Sequence, residues 1–133
     1  MKSDYSNHWN ASKSPRKQRK FRYNAPLHRR GSFLRAPLSK KLRKSYNTRS
    51  ARVRKNDKVM ISRGQFKGKT GTVDVVNLAL NKVFVSGIEL KKKDGSKVPY
   101  PLDPSNIVIT AIGSEDERRF NSNQPNQKSD NEE

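Results

Sequence analysis

The part of this sequence that comes nearest to a catalytic motif is residues 64–70, which read Gly-Gln-Phe-Lys-Gly-Lys-Thr. Glycines followed by Lys and Thr are typical of loops that bind nucleotide phosphates. The spacing differs, because three residues separate Gly64 from Gly68 where the nucleotide-binding loop has four. Residues 72–76 are mostly β-branched, whereas that loop must lead into a helix whose N-terminus meets the phosphates. The segment therefore does not predict nucleotide hydrolysis.

Other side chains that support catalysis or metal binding are scarce. The 133 residues include no Cys and only two His, His8 and His28. Thiolate zinc sites, disulfides and cysteine nucleophiles are therefore excluded. The carboxylates of residues 115–117 precede two arginines, which is typical of a solvated charge run. We expect no catalytic residue, no metal, no cofactor and no small-molecule substrate, so the protein is not predicted to be an enzyme.

The charge of the chain is large and unevenly distributed. Thirty Lys and Arg against twelve Asp and Glu give a net charge of +18. Residues 1–55 hold eighteen basic residues and one acidic, for +17, while residues 56–112 hold nine and five, for +4. Residues 113–133 hold three and six, for −3. Because like charges repel, the first segment requires a polyanion as its partner.

Aromatic residues are interleaved with this charge, which favours RNA as the polyanion. The rings belong to Tyr5, Trp9, Phe21, Tyr23, Phe33 and Tyr46, and the nearby cations are Arg16, Lys17, Arg19, Lys20, Arg22, Arg29 and Arg30. Cations pair with phosphates, and flat rings stack on unpaired bases. A membrane is not expected as a direct ligand, because prolines and Gly31 interrupt any long amphipathic helix and no apolar run approaches about 18 residues. The N-terminus also lacks the apolar stretch of a secretory signal, which indicates an intracellular protein.

The periodicity of the chain changes from helical to alternating near residue 55. Residues 1–24 predict an extended arm, and Pro26–Arg35 a short helix that Gly31 weakens. A second helix is predicted over Ser39–Tyr46, with Ser39 as N-cap and Asn47 as a left-handed stop. Its apolar stripe, spaced by four residues, consists of Leu38, Leu42 and Tyr46. The remaining faces, with Lys40, Lys41, Arg43 and Lys44, are free to meet phosphate.

About five short strands follow, too few for a two-sheet sandwich but enough for a small barrel. The predicted barrel core is Val59, Ile61, Val73, Val75, Val83, Val85, Ile88, Ile107 and Ile109. An Asp94-Gly95 pair predicts a hairpin turn. Residues 98–102 predict an irregular edge strand, because Pro99 and Pro101 cannot donate hydrogen bonds. Residues 113–133 read as a polar acidic tail.

Residues 58–73, Lys-Val-Met-Ile-Ser-Arg-Gly-Gln-Phe-Lys-Gly-Lys-Thr-Gly-Thr-Val, resemble a KOW motif, in which two strands and a tight loop surround a glycine at the eleventh position. Counted from Lys58, that glycine is Gly68. Three further segments accompany this motif: Asn-Ala-Pro at 24–26, residues 38–46 and residues 104–109. The order of these segments along the chain resembles that of the archaeal and eukaryotic branch of one large-subunit ribosomal protein family. This family is numbered twenty-four in bacteria and archaea and twenty-six in eukaryotes. Asn56 and Asp103 differ from the family's usual glycine and histidine.

The resemblance implies a mainly β fold with an SH3-like KOW barrel at residues 52–112, a basic extension with one or two short helices at 1–51, and the acidic tail at 113–133. It also implies a structural constituent of the large subunit in the cytoplasmic ribosome. Such a protein binds ribosomal RNA, helps to initiate subunit assembly, contacts neighbouring ribosomal proteins and lies near the exit of the nascent-chain tunnel. The hairpin of residues 91–97 matches the family's loop near that exit.

The resemblance adds RNA-binding residues to those that the charge pattern indicates. They are Arg49, Arg52, Arg54, Arg63, Lys67 and Lys69, with Gly64, Gly68 and Gly71 as turn glycines. Two alternatives remain open at this stage. One is a small chromatin or general nucleic-acid-binding protein. The other is a KOW-type transcription-elongation factor, which needs an α/β domain that residues 1–50 are too basic and too rich in proline to supply.

Overall fold

The structure, a computed structural model, describes residues 5–9, 11–113 and 119–120. Its helices are α1 (Pro15–Asn24), α2 (Leu27–Phe33) and α3 (Lys40–Tyr46). Its strands are β1 (Arg35–Pro37), β2 (Ser50–Arg52), β3 (Lys58–Ile61), β4 (Thr70–Asn77), β5 (Lys82–Val85), β6 (Glu89–Lys91), β7 (Lys97–Pro99) and β8 (Ile107–Ala111). A 3-10 turn at Pro104–Asn106 leads into β8.

The paired strands are antiparallel and form three sheets. The largest has the order β5-β4-β3-β8, while β1 pairs with β2 and β6 pairs with β7. Single bridges join Leu38 to Ile109 and Val83 to Leu102. In the part of the chain that the structure describes, the fold is thus a mixture of three helices and antiparallel sheets, where the sequence predicts a mainly β protein with one or two helices. The described strands do not close into one barrel, because the proline-containing segment before Leu102 contributes a single bridge to β5.

The core lies between the sheets and is built from aliphatic side chains. Eight of the nine predicted core residues are buried. Six of them lie at alternate positions of β3, β5 and β8, which point to one side. Val75 is the exception and is 55% exposed. A β-bulge between Val73 and Val75 inserts Asp74 into β4 and turns Val75 out of the core. The prediction for Val75 is therefore wrong.

The core continues on the N-terminal side of residue 52. Leu34, Ala36, Leu38 and Ala51 belong to the same cluster of buried residues as the sheet side chains. The link to β8 is direct, because the Ser39 N–H donates to the Ile109 carbonyl at 2.9 Å. The core therefore crosses the predicted boundary at residue 52 without interruption. The division into a basic extension and a barrel remains a prediction about function.

Helix α1 was not expected, because residues 1–24 lack an apolar stripe. Pro15 occupies its first turn, and the Arg, Lys and Gln residues that follow are good helix formers. The ring of Phe21 stacks on Trp9 with centroids 4.2 Å apart and meets Phe33 edge-on at 6.3 Å. These aromatic contacts join α1 to the preceding segment and to α2, and hydrophobic periodicity within the helix does not reveal them.

Helices α2 and α3 follow the sequence more closely. Helix α2 is shorter than predicted, and Arg35 is already the first residue of β1. In α3 the prediction is confirmed, because the Ser39 hydroxyl accepts from the Leu42 N–H at 3.5 Å and Asn47 is left-handed at φ 47°. Asn56 is also left-handed, at φ 70°, a conformation that Asn tolerates better than most residues.

The turn of the β6–β7 hairpin is built as the Asp-Gly signal predicts. Gly95 has φ 87°, which favours glycine. The Asp94 carboxylate accepts from the Ser96 hydroxyl at 2.7 Å and from the Ser96 N–H at 2.9 Å. These hydrogen bonds hold the pKa of Asp94 below its usual value, and the bond from the Ser96 hydroxyl has the larger effect.

Two residues of the predicted polar tail contradict that prediction. Phe120 is buried, and its ring stacks on Tyr46 with centroids 4.1 Å apart. The Arg119 side chain is 2% exposed. Both residues contact partners far away in sequence, so local composition did not predict their burial. The other residues of the tail, apart from Gly113, lie outside the described part of the chain.

Candidate nucleic-acid interface

The loop between β3 and β4 is a rigid support for three cations. The Gly68 N–H donates to the Ile61 carbonyl at 2.8 Å, and the Ile61 N–H donates to the Lys69 carbonyl at 2.9 Å. Gly64 and Gly68 adopt φ values of 97° and 86°, where any other residue would be strained. The loop exposes Arg63, Lys67 and Lys69. Its backbone is fixed by the strands, so these side chains need little further ordering to meet a ligand.

An aromatic pair supports the same loop. Phe66 packs edge-on against Tyr100 with ring centroids 5.1 Å apart, and the Lys69 ammonium lies 5.2 Å from the Phe66 centroid. Gly71, predicted to be a turn glycine, lies in β4 instead. A Cβ at Gly71 would collide with the Ser86 carbonyl, so a close approach of two strands and not a turn requires this glycine.

The helices present most of the other predicted cations. In α3, Leu42 and Tyr46 pack against the core. The exposed cations of that helix are Lys40, Lys41, Arg43 and Lys44, and those of α1 are Arg16, Lys17, Arg19, Lys20 and Arg22. Arg29 of α2 and Arg49, just before β2, are exposed as well. One Arg43 nitrogen donates to the Leu38 carbonyl at 2.8 Å, which fixes that side chain at the start of α3.

The β1–β2 pair adds a cation that the sequence analysis missed. Arg35 stands directly opposite Arg52 in the antiparallel register, and both are exposed. Like charges at such a position are destabilising unless an anion lies between them. Arg35 also donates to the Ser50 carbonyl at 3.0 Å. The signal that the sequence offers is an Arg next to a small Ala in each strand, Arg35-Ala36 in β1 and Ala51-Arg52 in β2.

The guanidinium of Arg52 crosses α2 at a buried glycine. A Cβ at Gly31 would collide with this guanidinium. Gly31 lowers the helix propensity of α2, but its missing side chain leaves the space in which the Arg52 guanidinium lies across the helix. The contact fixes the orientation of an arginine whose main-chain neighbours belong to the core.

Arg30 differs from the other predicted cations. Its guanidinium donates to the backbone carbonyls of Tyr23, Ala25 and Ala79, the last two at 2.8 Å. Three of its five N–H groups are thus used within the protein. Arg30 joins the corner between α1 and α2 to the connection after β4, which gives it a structural role in the described residues.

A buried ion pair fixes the segment between β2 and β3. The carboxylate of Asp57, fully buried, accepts two hydrogen bonds from the Arg119 guanidinium, at 2.6 and 2.9 Å. It also accepts from the N–H groups of Arg54 at 2.9 Å and Gly113 at 3.2 Å. Arg119 donates in addition to the Arg52 carbonyl at 2.6 Å. The pair thereby positions Arg52 and Arg54, two predicted RNA contacts, and no local motif indicated it.

Most of the aromatic rings of the basic segment contact other rings within the protein. Tyr5, Trp9, Phe21 and Phe33 contact one another, and Tyr46 stacks on Phe120. Tyr23 is 80% exposed and has no ring partner among the described residues. Of the six rings, Tyr23 is thus the one presented to solvent.

The fold and this surface define a small, strongly basic protein whose cations face outward from helices, a two-stranded ribbon and a loop. Within the described ranges, no helix is long and apolar enough to cross a membrane. No three His, Asp or Glu side chains of the same ranges lie together so as to hold a metal ion.

Comparison with known proteins assigns the family. The model of a family described as the eukaryotic ribosomal proteins L26 and their archaeal counterparts, numbered twenty-four, matches residues 12–122. The large ribosomal subunit protein uL24 of Methanocorpusculum labreanum is 53% identical over 106 residues, which cover 80% of this chain and 88% of the relative. The uL24 protein of Methanoculleus marisnigri is 51% identical, over 81% of this chain and 89% of the relative. The uL24 protein of Methanosarcina barkeri is 50% identical, over 84% of this chain and 96% of the relative. The chain belongs to this family of ribosomal proteins, and it is a structural component and not an enzyme.

Proposed function

We propose that this chain is a structural constituent of the large ribosomal subunit, in the cytoplasmic ribosome, that binds ribosomal RNA directly. In this role it would help to initiate subunit assembly and lie near the exit of the nascent-chain tunnel, in contact with neighbouring large-subunit proteins. Its sheets, joined by single bridges, would act as an open form of an SH3-like KOW barrel. The names of the relatives support the large subunit, and the surface of the protein supports RNA.

The observation that carries the proposal is that the displayed cations, Arg54 aside, have no ion-pair partners among the described residues. The ion pairs within those residues join Lys82 to Asp103, Lys97 to Glu89 and Arg119 to Asp57. None of these cations is a predicted RNA contact. The excess positive charge is therefore not neutralised within the described protein, and closely spaced phosphates are the ligand that neutralises it.

The mechanism is electrostatic positioning. Each Lys or Arg that meets a phosphate releases a condensed counterion, and this release supplies most of the affinity. The sheets determine where the contacts fall, because α3, the β1–β2 ribbon and the 62–69 loop are all anchored to the same core. Arg30 is left out of the proposed contacts because its guanidinium already binds three carbonyls.

A filter-binding titration with large-subunit ribosomal RNA at several salt concentrations tests the proposal. For about eight neutralised phosphates, the slope of log affinity against log salt should lie near about −6. Replacing Arg63, Lys67 and Lys69 together by Ala should make the slope shallower by about two units, because three contacts are lost. The matched control replaces Lys91, Lys92 and Lys93 together by Ala, which removes the same amount of charge from the β6–β7 hairpin.

The control decides whether position matters as well as charge. The hairpin variant should keep a slope close to that of the unmodified protein, and circular dichroism should show both variants folded. Equal losses in the two variants would contradict the proposed role of the loop. A slope near zero for the unmodified protein would reject phosphate neutralisation altogether.

A further inference from the structure

An apolar groove of about 500 Å³ lies between the β4–β5 pair and the β6–β7 hairpin. Its apolar walls are Val75, Phe84, Val85 and Pro99, and its lining includes the carboxylates of Asp74 and Glu89. The volume lies within the range of about 300–1,000 Å³ that binding clefts occupy. None of the predicted RNA contacts lines this groove.

The groove owes its exposed valine to the bulge in β4. Strict alternation would bury Val75, but the register shifts at this point and places Val75 opposite Phe84 instead. Exposing an aliphatic side chain that could join the core brings no stability. Bulges that redirect a side chain are common beside functional sites, and local rules of folding are most often broken there.

The charge of the groove is opposite to that of the rest of the surface. Asp57, Asp94 and Asp103 have partners in Arg119, Ser96 and Lys82. The Asp74 carboxylate has no hydrogen bond or ion pair with any residue that the structure describes, and the Glu89 carboxylate meets the Lys97 ammonium only at 3.9 Å. The groove therefore presents two carboxylates that no cation of the described residues approaches to hydrogen-bond distance.

We propose that this groove binds an extended segment of a neighbouring large-subunit protein, in which an aliphatic side chain lies beside a Lys or Arg. The aliphatic side chain contacts Val75 and Phe84, and the cation lies between Asp74 and Glu89. A phosphate backbone is repelled by the same carboxylates, so the occupant is protein and not RNA. The inference rests on the proposed place in the large subunit and adds a second, protein-binding face to it.

Photo-cross-linking in reconstituted large subunits tests this inference. The probe p-benzoylphenylalanine replaces Val75 in one variant and Lys67 in another. The Val75 probe should cross-link to a protein, and mass spectrometry should find a Lys or Arg within about two residues of the attachment point. The Lys67 probe should cross-link to ribosomal RNA, which tests the proposed function in the same particles.

Charge reversal in the Val75 probe variant sharpens the test. Asp74→Lys should lower the yield of the protein cross-link about tenfold, because like charges then face each other, whereas Asp74→Asn should lower it less. The control Asp103→Lys makes the same change of charge outside the groove and should leave the yield unchanged. Neither change at Asp74 should alter the Lys67 cross-link to RNA.

The outcomes separate the two proposals. A Val75 cross-link to RNA, to a segment without Lys or Arg, or to nothing would overturn the inference if Lys67 still cross-links to RNA. Equal yields from the Asp74→Lys and Asp103→Lys variants would also overturn it. Loss of the Lys67 cross-link to RNA would overturn the proposed function.

Discussion

Residues 11–55 and residues 56–112 both contribute to one core, yet they treat charge in opposite ways. In the first segment cations project from three helices and a ribbon without ion-pair partners, Arg54 aside, within the described residues. In the second, three of the five carboxylates are held by a cation or a hydroxyl at hydrogen-bond distance. The first segment thus provides most of the surface for a polyanion. The second adds the cations of the 62–69 loop to that surface and contributes the paired charges that stabilise the fold. Substitutions of the unpaired cations should accordingly change RNA affinity, whereas substitutions of paired or buried groups should change the free energy of unfolding.

The largest effect is expected at the buried ion pair between Asp57 and Arg119. Replacing either Asp57 or Arg119 by Ala should reduce the free energy of unfolding by about 3–5 kcal/mol, because the remaining charge is left buried without its partner. The double variant should lose less than the sum of the two single losses. Urea unfolding of the three variants measures this difference.

An exposed ion pair provides the control for that measurement. The Lys82 ammonium and the Asp103 carboxylate are 2.6 Å apart, but their side chains are 33% and 50% exposed. Lys82→Ala should cost no more than about 1 kcal/mol, because water solvates the remaining carboxylate. Similar losses at Lys82 and Arg119 would show that burial does not distinguish the two pairs.

Two valines on opposite sides of the β4 bulge give the next effect. Val73→Ala should lower the free energy of unfolding by about 2 kcal/mol, because Val73 is fully buried. Val75→Ala should change it by less than about 0.5 kcal/mol, because this side chain is exposed. Thermal unfolding compares them directly, and equal losses would mean that Val75 belongs to the core after all.

The exposed ring of Tyr23 should affect RNA affinity and not stability. Tyr23→Ala should weaken binding to large-subunit ribosomal RNA by about 1–3 kcal/mol, or roughly 5- to 150-fold, because a base loses its stacking surface. Tyr23→Phe should bind as well as the unmodified protein. The salt slope should stay the same in both variants, because no charge is removed. Unchanged affinity of Tyr23→Ala would exclude stacking at this position.

The features that sequence predicts well are those with local causes. The alternation of Val and Ile along β3, β5 and β8 determines which residues are buried, and it accounts for six of the eight core predictions that are confirmed. Ser39 caps the start of α3 and Asn47 ends it, both through local conformation, and both predictions are confirmed. The KOW resemblance predicted the family, which the comparisons confirm.

The features that sequence predicts poorly depend on distant partners. Arg30 binds a carbonyl 49 residues away, and Arg119 binds a carboxylate 62 residues away. Neither distance leaves a local pattern, so Arg30 was assigned to RNA and Arg119 to a polar tail. Helix α1 was missed for a related reason, because Phe21 packs on residues outside the helix. The direct contacts with RNA remain predictions.

The hydrogen bond from Ser39 to Ile109 also affects how late folding can finish while the protein is being synthesised. Translation proceeds from the N-terminus, so the strongly basic segment emerges well before the strand that secures it. Until β8 has been made, Ser39 and the helix that it caps have no partner there, and folding must end with these non-local contacts. A newly made molecule therefore passes through an interval in which its cations are already accessible but not yet correctly arranged. During that interval other polyanions can compete for these cations.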